Sequence, residues 1–403
     1  MECALEGLRI LDFSWVITGP LATKFLANLG ATVVKVEYQG SVDLTRHYPP
    51  FAGGAPGINR SATFAKSNDG KYGMIVNLNH PKSRGVVERL VRWADVVVEN
   101  FTPGTMERWR LAYEDLREMK PEIIMIRASL MGQTGPYSHQ PGFGTMLQAY
   151  AGFSSSMRWP GRMPAGSSVP WTDYSGAGFT AIAILAALDY RMKWRKGVYI
   201  DLSQLEAAQQ FLIPSLLGSV TNGRAWGPMR NRHHFACPHG AYPCQGIDRW
   251  CLIAVFTDEE WEKLKKVMGY PNWSQEERFS SPLNRKKNED DLDQLIANWT
   301  VERDPKEVMR KLQEAGVPAG MVANGEDLHR DPQLKHRKHF VKIQHPEMGT
   351  SSYDAPPFRL SITPHRMDMP APCMGQHTEL VCRKFLDMSD QEFQELLSEG
   401  VFS

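Results

Sequence analysis

The sequence predicts an α/β protein in which a large, Rossmann-like domain built on a parallel sheet is joined to a smaller α+β domain. Three observations carry the prediction. Strand-like and helix-like stretches alternate from Leu8 to Arg127, the pattern of a parallel sheet covered on both faces. Beyond about Gly223 the spacing of apolar residues changes, and prolines between Pro332 and Pro364 mark connections back to the first domain. The chain is 403 residues long, which at roughly 150 residues per domain leaves room for two.

Taken in order, Leu8–Phe13 reads as a short strand, Pro20–Leu29 as a helix with proline in its first turn and Gly30 as its stop, and Ala31–Val36 as a second strand. The pattern continues with a strand at Met74–Leu78, a helix at Pro81–Trp93, a strand at Asp95–Glu99, a helix at Tyr113–Met119 and a strand at Glu122–Arg127. Ligands of such a sheet gather at the carboxyl ends of its strands. A Gly, Ser and Pro-rich passage, 154–170, leads to an apolar helix that opens at Trp171 and runs to Arg191, followed by a strand at Gly197–Ser203 and a helix from Gln204. In the smaller domain Trp250–Phe256 reads as a strand, and Asp258–Met268 and Asp304–Ala315 as helices. The chain closes on a helix, Ser389–Leu397, with Ser389 as N-cap and Glu392 three residues on. The expected division is 1–222 for the first part of the large domain, 223–328 for the small domain and 329–403 for the return to the large one.

Composition removes several function classes. Lys plus Arg total 46 against 45 Asp plus Glu, a net charge of +1, so no bulk field draws the chain to nucleic acid or an anionic membrane. An anionic ligand must therefore be met by local cations. Apolar stretches such as Ala181–Leu188 are far short of the ~20 residues that span a bilayer, and Met1–Glu6 lacks the basic start and apolar core of a leader. A cytoplasmic protein without membrane or nucleic-acid partners is expected. Six cysteines, Cys3, Cys237, Cys244, Cys251, Cys373 and Cys382, are too few for a disulfide scaffold in so long a chain. His233, His234, Cys237, His239 and Cys244 lie close in sequence, but no C-x-x-C pair or H-E-x-x-H helix occurs there and Pro238 and Pro243 break the segment, so no metal is expected.

The nucleotide motifs are weak. Gly176-Ala-Gly178-Phe-Thr-Ala181 fits G-x-G-x-x-A, with Asp201 downstream, but Val169-Pro-Trp-Thr172 before it makes a poor buried strand, and close helix packing accounts for the small residues. No phosphate-binding G-x-x-x-x-G-K-[ST] loop is present, since Lys71 after Gly70 precedes Tyr72. Asp173 is a sharper candidate. Capping is a common use of Asp at a helix start, yet Ser175 supplies a cap, and Gly176 and Gly178 leave the backbone open to a ligand. A carboxylate there is expected to stay ionised and serve as a nucleophile, with nearby backbone N–H groups to stabilise an oxyanion.

Several segments in a fixed order carry a resemblance along nearly the whole chain. They are Gly7-Leu-Arg-Ile-Leu-Asp12, Gly19-Pro20, Leu26-Ala-Asn-Leu-Gly-Ala-Thr-Val-Val-Lys-Val-Glu37, Val97-Val-Glu-Asn-Phe-Thr-Pro-Gly104, Gly132-Gln-Thr-Gly-Pro136, Asp173-Tyr-Ser-Gly176, Gly197-Val-Tyr-Ile-Asp-Leu-Ser203, Ala315-Gly-Val-Pro-Ala-Gly320 and Pro372-Cys-Met-Gly-Gln-His-Thr378. The chain thereby resembles the class III coenzyme A transferases of CaiB/BaiF type, whose relatives include formyl-CoA transferases and α-methylacyl-CoA racemases. The resemblance implies that Asp173 attacks an acyl-CoA thioester to form a mixed anhydride and then an aspartyl-CoA thioester. It implies no permanently bound cofactor, coenzyme A thioesters as substrates, and a carboxylate acceptor. It places Arg46, Lys71, Asn100 and Arg108 in the loops that bind coenzyme A.

Departures from the family pattern narrow the reading. Met131 stands where some relatives use lysine for coenzyme A, and Ile17 where some use glutamine. Gln245-Gly-Ile-Asp248 lacks the glycine-rich loop of formyl-CoA transferases, which argues against formyl or oxalate specificity. Racemase relatives pair the aspartate with a His-Asp couple, whereas the matching positions here read Gly142-Phe143-Gly144 and hold no proton. His139 falls outside the matched position. Trp15, Phe143, Phe153, Trp159 and Trp171 fall in segments near the acyl site or in the core, and suit a bulky or aryl acid. The expectation is transfer from a donor such as succinyl-CoA to an aryl-substituted acid or dicarboxylate of the benzylsuccinate type, with Arg158 facing a second carboxylate. Alternatives are an acyl-CoA racemase or isomerase, or a CoA-binding subunit of a heteromer. The resemblance further implies an interlocked dimer, homomeric or with a related subunit.

Overall fold

The computed structural model describes residues 2–223, 227 and 229–403. The chain divides into two units, a larger one of Met1–Ser154, Gly166–Ala225 and Gln333–Ser403 and a smaller one of Ser155–Ala165 and Trp226–Pro332. The segment Ser155–Ala165, read from the sequence as part of the large domain, belongs to the smaller unit. There the Arg230 guanidinium lies over the Trp159 ring at 5.1 Å.

In the larger unit six strands form one sheet: β1 (Arg9–Asp12), β2 (Thr32–Glu37), β3 (Lys71–Ile75), β4 (Val96–Glu99), β5 (Ile124–Ser129) and β6 (Val198–Ser203). All pairings are parallel and the order is β3-β2-β1-β4-β5-β6. That order reverses between β1 and β4, which opens a crevice at the carboxyl ends of those two strands. The third strand lies three residues earlier than Met74–Leu78, where apolarity placed it. Lys71 reads as polar but enters the sheet because Asp12 on β1 neutralises it.

Successive residues on a strand face opposite sides, so each strand feeds two cores. Ile10, Val33, Val96 and Ile124 pack with Leu26 of helix α1 (Thr18–Asn28) and with Ile184 and Ala187 of the long helix Trp171–Trp194. Leu11, Val34, Val97 and Met125 pack on the other side with Val86 and Leu90 of the helix Ser83–Trp93 and with Val381, Phe393 and Phe402 of the C-terminal tail. The tail thus completes one face of the sheet, and its last helix, Asp390–Ser398, is capped by Ser389, whose Oγ accepts from the Glu392 N–H at 3.2 Å.

The smaller unit is an antiparallel sheet, β7 (His239–Pro243), β8 (Trp250–Ala254) and β9 (Ala319–Met321), with helices Asp258–Met268, Glu289–Thr300 and Pro305–Glu314. Cys237, Cys244 and Cys251 sit in its apolar core with Ile253, Trp261 and Ile296. Burial pushes the Cys237 thiol up to about 12. Among the described residues no group of His, Cys, Asp and Glu is placed to hold a metal ion, and no helix is long and apolar enough to cross a membrane.

Candidate active site

A cavity of about 320 Å³ occupies the crevice at the carboxyl ends of β1, β4 and β5. Its walls are the loops that leave those strands, Trp15–Thr18, Asn100–Pro103 and Ser129–Leu130, together with Gly142–Gly144, Asp173 and Gln204. Two groups, half-buried Asn100 and buried Asp43, hold the first loop. Asn100 accepts from the Trp15 N–H at 2.8 Å and donates to the Trp15 carbonyl at 2.7 Å. Asp43 accepts from the Val16 N–H at 3.2 Å and is itself paired with Lys35 at 3.0 Å. Val16 is thereby kept at a φ of 68°, a conformation that a β-branched residue adopts only under constraint.

Asp173 lies in the first turn of the Trp171–Trp194 helix, whose N-cap is Pro170, so it caps nothing. Ser175 is inside the helix and donates to the Thr172 carbonyl at 3.1 Å, and the cap expected of it is not made. Asp173 is 6% exposed. Its carboxylate rests against Gly144, where a Cβ would stand only 2.5 Å from either carboxylate oxygen. Burial pushes this carboxyl up to about 7, opposed only by a hydrogen bond from Thr18. Burial thus works against the ionised form that a helix terminus was expected to favour. No Lys or Arg is among the described residues that line the cavity.

With this geometry in place, comparison with known proteins is decisive. The sequence pattern of CoA-transferase family III matches residues 5–378. The chain belongs to CoA-transferase family III. A succinyl-CoA–D-citramalate CoA-transferase of Chloroflexus aurantiacus is 30% identical over 402 residues, covering 98% of each chain. The alpha subunit of a succinyl-CoA–L-malate CoA-transferase from Chloroflexus aurantiacus is 31% identical over 408 residues, covering 99% of this chain and 93% of the other. The crystal structure of a CAIB/BAIF family protein from Brucella suis superposes with a TM-score of 0.88 at 27% identity, covering 96% of this chain and all of the other. The protein is a CoA-transferase, and coenzyme A thioesters are substrates of its class.

Of the cations expected to meet coenzyme A in this family III chain, two are turned inward. Arg46 is fully buried, gripping Glu37 through Nε at 2.8 Å and Nη2 at 2.6 Å and stacking at 3.6 Å on Phe64. Lys71 is equally buried, and its three N–H bonds go to Asp12 at 3.0 Å, the Pro20 carbonyl at 2.7 Å and Asn68 at 2.9 Å. Neither has a donor left over for a phosphate at the surface, so their place is in the scaffold. Asn100 lines the cavity but applies its amide to Trp15. Arg108 is exposed on the short helix Thr105–Arg108 directly after that loop, with one contact, to Thr105 Oγ1 at 3.0 Å. Trp15 and Phe143 line the cavity; Phe153 and Trp171 do not, and Arg158 and Trp159 lie in the smaller unit. Ser129, Gln204 and the Asp12–Lys71 and Lys35–Asp43 pairs escaped the sequence reading. The pairs' one signal was the charge of Asp12 and Lys35 inside the apolar runs Leu8–Phe13 and Ala31–Val36.

Proposed function

We propose that this CoA-transferase moves coenzyme A from succinyl-CoA to an aryl-substituted acid or a dicarboxylate such as benzylsuccinate, through covalent intermediates on Asp173. The observation that carries the reading is a solitary buried carboxylate, Asp173, on the wall of a cavity at the carboxyl ends of the strands. The Asp173 carboxylate attacks the thioester carbonyl, the C–S bond breaks, and coenzyme A leaves as thiolate, giving a mixed anhydride. The thiolate attacks the aspartyl carbonyl, which releases succinate and leaves aspartyl-CoA. The acceptor carboxylate displaces the thiolate to form a second anhydride, and the thiolate returns to the acceptor's acyl carbon. Asp173 emerges as carboxylate, with no net proton or electron transferred.

A carboxylate is a weak nucleophile, so placement and oxyanion stabilisation must supply much of the rate. Support comes from α1, whose N-terminus borders the cavity at Ile17 and Thr18 with no side-chain cap, leaving N–H groups and the positive helix end for developing charge. Trp15 and Phe101, edge to face at 5.3 Å, together with Phe143, suit an aryl acid. A proton-transferring racemase is less well supported, because Gly142, Phe143 and Gly144 offer no acid or base beside Asp173. Arg108 and Asn100 border the entrance we assign to coenzyme A, and Arg46 and Lys71 act behind it as internal ion pairs. We place the reaction in the cytoplasm, in an interlocked dimer, and the relative that is an alpha subunit gives the heteromeric form support.

The test is peptide mass spectrometry after incubation with succinyl-CoA and other acyl-CoAs and reduction by borohydride. An activated Asp173 is reduced to homoserine, and Asp173→Ala gives no such product. An Asp173 peptide that stays unmodified with every donor, while coenzyme A still binds, overturns the covalent mechanism.

A further inference from the structure

The cavity has two unlike walls. Trp15, Phe101 and Phe143 make one apolar, and the other carries two buried polar atoms without a hydrogen-bond partner, Ser129 Oγ and Gln204 Oε1. Ser129 ends β5 and Gln204 follows β6, and these neighbouring strands deliver the two residues to the same edge of the sheet, with Ser129 opposite Ser203. They are 4% and 3% exposed. The Gln204 amide has only one orientation open to it: Nε2 donates to the Ala128 carbonyl at 2.9 Å, a group that can only accept, so Oε1 is the free atom. Gln204 also adjoins the nucleophile's own neighbourhood. A Cβ on Gly176 would stand 3.2 Å from Gln204 Cγ and 3.1 Å from Thr18 Cγ2, and the Thr18 hydroxyl donates to the Asp173 carbonyl at 3.3 Å.

A buried polar atom left unpaired is costly, and that cost is relieved when a ligand brings the missing partner. The kind of partner follows from the two atoms. Gln204 Oε1 only accepts, so it needs a donor and repels a carboxylate; Ser129 Oγ can donate as well as accept. One group satisfies both at once, a hydroxyl that donates to Gln204 and accepts from Ser129. We infer that Ser129 and Gln204 form a subsite for the hydroxyl of a hydroxy acid, so that the acid activated here carries an alcohol in addition to its reacting carboxylate. The inference rests on the covalent transfer reading above and narrows its acceptor from aryl acids and dicarboxylates at large to those that also carry a hydroxyl, which benzylsuccinate lacks. Ser129 and Gln204 select and orient the acid while Asp173 does the chemistry.

The experiment measures kcat/KM of the full-length protein with succinyl-CoA and matched sets of acceptors: 2-hydroxy and 3-hydroxy acids, their deoxy parents and their O-methyl ethers. The wild type is expected to favour one hydroxy acid over its deoxy parent by about 10- to 100-fold, and the ether, which cannot donate, to fare no better than the parent. Ser129→Ala and Gln204→Met each shrink that ratio several-fold. Because the ratio is internal to each preparation, a partly misfolded variant leaves it unaffected. Equal kcat/KM for hydroxy and deoxy acids, or a preference that survives both substitutions, overturns the subsite and leaves the wall satisfied by water alone. The two readings fail separately. Homoserine at Asp173 without hydroxyl preference sinks only the subsite, whereas no homoserine with any donor sinks the covalent mechanism and the subsite with it.

Discussion

Two buried aspartates border the same crevice and have opposite fates. Asp12, at the end of β1, is fully buried and surrounded: Lys71 lies 3.0 Å away, Thr23 donates at 2.7 Å, the Ser14 N–H donates at 2.9 Å and the Ser14 hydroxyl bonds to it as well. Burial alone would push its carboxyl up, but Lys71, Lys35 and these hydrogen bonds outweigh burial and hold it below the usual carboxylate range. Asp173 is nearly as buried and has no cation beside it, so burial prevails. The difference separates scaffold from chemistry. A compensated charge is locked in one protonation state and fixes the Ser14–Ile17 turn; an uncompensated one is costly, and its relief is reaction with an electrophile.

The sharpest break of this comparison is removal of the unpaired carboxylate. Asp173→Asn keeps the volume and loses the nucleophile, so kcat/KM should fall by at least about 10³-fold in a spectrophotometric transfer assay. The fold should persist, as far-UV circular dichroism would show. The converse substitution acts on the scaffold. Lys71→Met strands Asp12 without its partner and should destabilise the larger unit by about 3–5 kcal/mol, read as a lowered urea midpoint at pH 7. Adding Asp12→Asn to Lys71→Met should recover part of that loss. If the single Lys71 variant unfolded at the wild-type midpoint, the scaffold role given to the pair would be wrong.

The same contrast explains what was legible in the sequence. Strand and helix periodicity located β1, β4 and β5 within a few residues, because Val96, Val97 and Val98 and their equivalents are buried on both faces and nothing competes with that pattern. The strand order came only with tertiary structure, since it depends on which edges pair. At Asp173 the local sequence favoured capping over a nucleophile, and only the ordered family segments tipped the balance. Arg46 and Lys71, which the resemblance places in the coenzyme A loops, spend their donors inside the scaffold, and the sequence did not show it for a clear reason. A cation in a list of residues looks solvated, and only the sheet register brings Lys71 beside Asp12 and the fold of the Asp43–His47 turn brings Arg46 onto Glu37. Ser129 and Gln204 carry no signature at all, because their importance lies in bonds they lack.

The smallest effect is also the most specific to the unpaired state. Attack requires the Asp173 anion, and with the carboxyl near 7 the donor's kcat/KM should climb about tenfold per pH unit below pH 6 and level off above pH 8. Stability should run the other way. Asp173 binds its proton more tightly folded than unfolded, so between about pH 4 and pH 7 the native state holds the extra proton and folding weakens as pH rises, with no further change above. Asp173→Asn cannot ionise, so its thermal midpoint should gain on that of the wild type across this window, by the equivalent of roughly 1–4 kcal/mol at pH 8. A midpoint difference that stays flat from pH 4 to pH 8 would mean that Asp173 is compensated after all, and the division between the two aspartates would collapse. A rising difference together with a rising rate would tie the cost of burying this carboxylate to the step it performs.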